Sequence, residues 1–183
     1  MKKNILIALF AVAAVAPIAA QAQSYIGASL GRAEQKLVFE DVGSVKENDT
    51  SYKLFGGYQF TKNVGIEAGL GDLGTVSITG DGETVTSNPK MFFMAATGTV
   101  PVSSQFSVTG KVGFARTNTS IDVAGMGTEK IRHTSPLLGL GMSFAVTPKI
   151  AIVAEYEHFF NIISKGEVKL KASALSAGVR FNF

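Results

Sequence analysis

The feature that most constrains this chain is an every-second-residue alternation between large apolar side chains and glycine, alanine or serine, repeated in eight stretches. The last stretch is the clearest. Leu175, Ala177, Val179, Phe181 and Phe183 fall on one face, and Ala174, Ser176, Gly178, Arg180 and Asn182 on the other. A period of two is the pleat of a β-strand, whose successive side chains point to opposite faces. The stretches run over about 24–32, 51–60, 64–73, 90–100, 105–116, 134–146, 150–160 and 172–183.

One greasy face per strand suits a soluble barrel as well as a membrane one, so the other face decides. Strands in water would spend their polar positions on Lys, Glu and Thr. Here Leu138, Leu140, Met142, Phe144 and Val146 alternate with Gly139, Gly141, Ser143 and Ala145, and Val64, Ile66, Ala68 and Leu70 alternate with Gly65, Glu67, Gly69 and Gly71. Small residues fit a narrow bore, and large apolar ones fit acyl chains. Tyr52, Tyr58, Phe60, Phe106, Tyr156, Phe181 and Phe183 fall near strand ends on the greasy side, where interfacial girdles of aromatics are expected. Hydrocarbon offers no partner to an unpaired strand edge, so such a sheet must close.

The connections alternate in length: short at 61–63, 101–104 and 147–149, long at 33–50, 74–89, 117–133 and 161–171. The short ones carry turn chemistry in Thr61-Lys62-Asn63, Pro101-Val102-Ser103-Ser104 and Thr147-Pro148-Lys149. The long ones hold most of the acidic residues, among them Glu34, Glu40, Asp41, Glu47 and Asp49. Short periplasmic turns, long outer loops and an even strand count define barrels of the bacterial outer membrane. The predicted fold is therefore all-β, an eight-stranded antiparallel up-and-down transmembrane β-barrel.

The other end of the chain agrees. Lys2 and Lys3 precede an apolar run from Ile5 to Ala16, and Ala20-Gln21-Ala22 has the small-residue pattern of a cleavage site. Residues 1–22 are thus expected to be a secretory signal peptide and residues 23–183 the outer-membrane β-barrel domain. Without that leader, 15 Lys and Arg stand against 14 Asp and Glu, with no basic cluster, which sets nucleic acid aside as a partner. The chain has no cysteine, so neither a disulfide framework nor a thiolate metal site is available.

On the small-residue face lie Lys53, Lys111 and Arg180 with Glu67, Glu155 and Glu157. A lone charge in a tight interior is costly, whereas paired charges persist. The expectation is mutual neutralisation, with Glu67, Lys111, Glu155 and Arg180 in a mid-to-lower network and Lys53 and Glu157 nearer the outer rim. Side chains can fill an eight-stranded bore, so the default is a plugged lumen, and a small-ion conduit is the alternative use of the same charges.

Chemistry elsewhere is sparse. His133-Thr134-Ser135 has the His-x-Ser spacing of the lipid A deacylases, but Pro136 stands where those enzymes carry Asn, so no catalytic residue is assigned. His158, between Tyr156 and Phe160, reads as an interfacial residue. Two separated histidines make no metal site, and Gly80-Asp81-Gly82-Glu83 lacks a calcium-ligand series, so neither metal nor cofactor is expected.

Two blocks carry a family resemblance. Tyr25-Ile-Gly-Ala-Ser-Leu-Gly31 and the run from Gly57 to Gly74 resemble the opening strands of OmpA-like transmembrane domains. The run from Gly139 to Phe159 and Leu175-Ser-Ala-Gly-Val-Arg-Phe-Asn-Phe183 resemble the closing strands of opacity-type and NspA-like surface proteins. The resemblance implies a structural barrel, with adhesion or immune interaction through the loops as the principal alternative. It implies a monomer among outer-membrane lipid and lipopolysaccharide, and assembly by the Bam machinery, with Phe181 and Phe183 matching its terminal signal. A peptidoglycan-binding domain beyond Phe183 is not expected.

Overall fold

The computed structural model describes residues 23–39, 43–74, 76–80, 83–123, 127–165 and 168–183. The expected leader, residues 1–22, lies outside them. Nine strands follow in chain order: β1 (Gln23–Phe39), β2 (Gly43–Gln59), β3 (Val64–Asp72), β4 (Val76–Gly80), β5 (Glu83–Pro101), β6 (Phe106–Val123), β7 (Gly127–Ala145), β8 (Ile150–Lys165) and β9 (Val168–Asn182). Each is antiparallel to its neighbours, β1 pairs with β9, and β3 pairs with β5, so the sheet closes. β3 and β4 pair with successive parts of β5 and form the two halves of one stave, giving eight staves in all.

The interruption of that stave has a local cause. Gly74 adopts φ of 84°, a conformation open to glycine, and its N–H donates to Asp72 Oδ1 at 2.9 Å. Leu73 is thereby turned into the barrel, 1% exposed, and its carbonyl accepts from Gln35 Nε2 at 3.3 Å.

The three short turns share one device. A hydroxyl at Thr61, Ser103 or Thr147 accepts the N–H of the residue three positions on, at 3.0 Å in each case, while the next strand's first carbonyl accepts from the turn backbone. The second turn sits one residue later than expected, since β5 includes Pro101 and β6 starts at Phe106.

The long connections differ more. They are mostly paired strand: β1 and β2 stay in register out to Phe39 and Gly43, and β6 and β7 out to Val123 and Gly127. Backbone pairing continues past the point where the strict hydropathy alternation fades, as the chain leaves hydrocarbon. Beyond the apolar belt the staves therefore extend as hairpins, whose tips, at 40–42, 81–82, 124–126 and 166–167, lie outside the described residues, as does residue 75.

The faces divide by parity. Leu54, Leu70, Phe114, Leu140, Ile152 and Leu175 point outward and are exposed, while Phe55, Phe93, Leu137, Val153 and Phe159 are buried inside. The core of this protein is its lumen.

Candidate functional site

Nearly every large side chain in the lumen faces a glycine across the sheet. Tyr25 and Glu67 are both opposite Gly57, Phe55 is opposite Gly27, and Phe93 is opposite Gly69. Glu155 is opposite Gly141 and Glu157 opposite Gly139, which is also the partner of Lys111. A Cβ on Gly141 would stand 3.1 Å from Glu155 Cγ, and one on Gly69 would stand 2.6 Å from Phe93 Cε1. The small residues make the room that the charged and aromatic groups occupy.

Five ionisable groups meet in that room. Lys53 Nζ lies 2.5 Å from Glu155 Oε2 and 2.8 Å from Glu157 Oε1. Lys111 Nζ lies 2.5 Å from Glu67 Oε1, is paired with Glu155 Oε1, and is 3.8 Å from Glu157 Oε1. Glu155 therefore bridges both lysines. All five residues are buried. Tyr25 Oη donates to Glu67 Oε2 at 2.9 Å. The Phe55 ring lies 5.2 Å from the Lys53 ammonium and 5.6 Å from that of Lys111, and Phe93 lies 5.4 Å from Lys53, within cation–π range.

Two expectations about this cluster are corrected. Lys53 and Glu157, expected nearer the outer rim, are inside it, because the Lys53 side chain crosses the bore from β2 to β8. Arg180, expected within it, stands apart. It is aligned with Ala151, four residues along from the Ser176 that faces Glu155, about 13 Å toward the short turns. There its guanidinium lies 4.9 Å from the Tyr25 ring, and its Nε has no hydrogen-bond partner. The cluster thus holds two cations and three carboxylates, not the balanced three and three.

Phe93, Leu137, Phe159 and Leu73 fill the lumen toward the hairpin end. The cavities flanking the charges measure about 10 Å³ each, one beside Tyr25 and Arg180 and the other beside Ser29 and Ser176. Such a space holds about one water molecule and not a continuous column.

Glu67, Glu155 and Glu157 bring carboxylate oxygens within 4.8 Å of one another, but two ammonium groups already take the place a cation would need. His133 and Ser135 share a face of β7 without a hydrogen bond between them. Ser135 is 1% exposed, and its Oγ is 3.5 Å from the Ala115 carbonyl. His158 faces outward, with Nδ1 3.0 Å from Ser173 Oγ and its ring edge-on to Phe160 at 4.5 Å. Phe181 and Phe183 are exposed on the lipid face with ring centroids 5.2 Å apart, and the Phe183 N–H donates to Ser24 O at 2.9 Å.

A closed antiparallel sheet, greasy outside and packed with paired charges inside, is a transmembrane β-barrel. Residues 5–183 match the family described as outer membrane protein beta-barrel domain, and the chain belongs to that family. Outer membrane protein A of Salmonella typhi is 29% identical over 196 residues, covering 100% of this chain and 56% of that protein. The Shigella flexneri protein of the same name is 28% identical over 199 residues, with the same coverage. The chain spans about half the length of these relatives. Among solved structures, Neisserial surface protein A superposes with a TM-score of 0.65 at 22% identity, over 87% of this chain and 97% of that one. Ail of Yersinia pestis, solved with the heparin analogue sucrose octasulfate, gives 0.58 at 21% identity, over 88% and 99%. These likenesses place the protein in the bacterial outer membrane.

Proposed function

We propose that this outer-membrane barrel is a sealed structural element whose contacts with its surroundings are made by its lipid face and by four extended hairpins. The observation that carries the reading is the lumen, where Lys53, Lys111, Glu67, Glu155 and Glu157 meet over cavities of about 10 Å³. The cluster's role is to hold opposing staves together across the bore. On this reading the chain is made with a cleaved leader at 1–22, is assembled by the Bam machinery through Phe181 and Phe183, and works as a monomer among phospholipid and lipopolysaccharide. On the same reading no catalytic role is assigned to His133 or Ser135, since Ser135 is enclosed and its Oγ lies against the Ala115 carbonyl. Single-channel recording of the refolded protein in planar bilayers tests the seal. No steady conductance is expected, and a large steady current would establish the conduit instead.

A second reading rests on the hairpins. The β1–β2 pair continues from Arg32 to Phe39, about 25 Å of paired strand beyond the apolar belt, which is a rigid platform for a host ligand. Removing one hairpin at a time and measuring cell binding to host surface proteins tests it. Loss of binding with one hairpin supports adhesion, and binding unchanged by every removal refutes it.

A further inference from the structure

Outside the barrel, three cations stand together on β5, β6 and β7. Lys90, Asn118 and Arg132 share one cross-strand row, and Arg116 lies one row nearer the short turns, flanked by Phe92 and Thr134. Adjacent strands are about 4.8 Å apart, so the patch spans about 10 Å. All three cations are exposed and have no hydrogen bond or ion pair among the described residues. Asp72, which faces Lys90 across β3 and β5, is 7% exposed and already accepts from Tyr52 Oη at 3.1 Å and from the Gly74 N–H.

On the same staves, toward the turns, the lipid face is dented. Gly98 and Gly110 are cross-strand partners, and a Cβ on either would meet nothing within 4 Å. A shallow groove of about 600 Å³ lies over them, walled by Leu138, Leu140 and Tyr156. Arg116 and Gly110 are six residues apart, about 20 Å along the strand. At a tilt near 40° this is a depth of about 15 Å, half the hydrocarbon thickness.

Exposed cations at the edge of the apolar belt, unpaired among the described residues and with a trough leading to mid-membrane below them, match one kind of molecule. We infer that Lys90, Arg116 and Arg132 bind the phosphates of an acylated glycolipid of the outer leaflet, with one acyl chain lying in the Gly98–Gly110 groove. More than one phosphate is required, because a single headgroup charge would leave cations of a patch this wide unmatched. The inference rests on the proposed reading only in taking the hairpin end as the outer side. A sealed lumen is not needed for it.

The test uses the whole protein refolded into phosphatidylcholine vesicles that also hold phosphatidylglycerol and a bisphosphorylated lipid A, followed by gentle extraction and native mass spectrometry. The wild type is expected to retain one lipid A in preference to phosphatidylglycerol. Lys90→Gln/Arg116→Gln/Arg132→Gln should retain roughly a hundredfold less, at the usual contribution of each surface cation. Gly98→Leu/Gly110→Leu, at two positions where an added Cβ meets nothing within 4 Å, fills the dent and should retain about fivefold less. Arg32→Gln/Lys171→Gln, outward cations on β1 and β9, should match the wild type. The inference is overturned if that distant pair loses as much as the triple variant, if phosphatidylglycerol is retained equally, or if inorganic phosphate displaces the lipid from a groove variant and the wild type alike. Gel mobility of unheated samples confirms insertion of each variant. An open pore with selective retention intact would sink the sealed-barrel reading and leave this one standing.

Discussion

Replacing Lys111 with methionine isolates the energetic content of the charge cluster. The Lys111 side chain is 1% exposed, and its ammonium serves Glu67 and Glu155 directly and Glu157 at 3.8 Å. Methionine keeps most of the volume but leaves three buried carboxylates with Lys53 alone. Removing one partner of a buried pair costs about 3–5 kcal/mol, or roughly two to three and a half powers of ten in the folding equilibrium. Glu155→Gln is the informative comparison. It removes the bridging charge, yet Lys53 keeps Glu157 at 2.8 Å and Lys111 keeps Glu67 at 2.5 Å, so each cation retains one carboxylate. Its cost should be about 1–3 kcal/mol, that of weakened charge-assisted hydrogen bonds, and the lumen should remain closed to ions. The chain has no tryptophan, so the assay is urea unfolding in vesicles followed by far-ultraviolet circular dichroism and gel mobility. The reasoning fails if Lys111→Met costs less than about 1 kcal/mol, or if Glu155→Gln proves the costlier of the two.

Gly69→Ala should destabilise by about 1–3 kcal/mol in the same titration, because its Cβ would stand 2.6 Å from Phe93 Cε1 and press on the Leu54 carbonyl. Gly98→Ala, which meets nothing within 4 Å, should cost nothing measurable, and equal costs for the two would refute the packing account. Deleting Phe183 removes an exposed anchor and the N–H bonded to Ser24 O. Folded yield in the outer membrane should fall, with Phe183→Tyr close to the intact chain. Full yield from the deleted chain would exclude an assembly role.

The division of faces is legible in the amino-acid sequence, and what is not legible there has physical causes. Which residues face lipid and which face the bore follows from parity alone, since Leu140 and Gly141 cannot share a side of one strand. The hairpins were not visible as strand. Their hydropathy signal ends where hydrocarbon ends, while pairs such as Gln35 with Glu47 continue on backbone hydrogen bonds that composition does not record. The membership of the charge cluster was also beyond a reading that counts along strands. Lys53 and Glu155 are 102 positions apart on staves that do not pair, and a long flexible side chain crossing the bore decides their contact. Arg180 escapes for a different reason: it sits on the strand next to Glu155, but adjacency of strands does not give level within the barrel. The turn hydroxyls were recoverable, since Thr61, Ser103 and Thr147 hold the same position in each short turn.

The glycines also answer a question that alternation leaves open. Slipping a strand by one residue turns its greasy face inward and is excluded at once, but a slip of two preserves both faces and every lipid contact. Something else must fix the register, and the pairing of bulk with glycine does so. In the native alignment of β3 with β5, Phe93 meets Gly69 and Met91 meets Gly71. A slip of two in one direction sets Phe93 against Glu67, and in the other sets Met91 against Leu73, so either way two large groups compete for one space. The same pairing brings Glu155 and Glu157 to Gly141 and Gly139, where they reach the lysines. The order of small and large residues in the bore thus specifies alignment and charge placement together, while the lipid face, tolerant of any shift by two, specifies only which side is out.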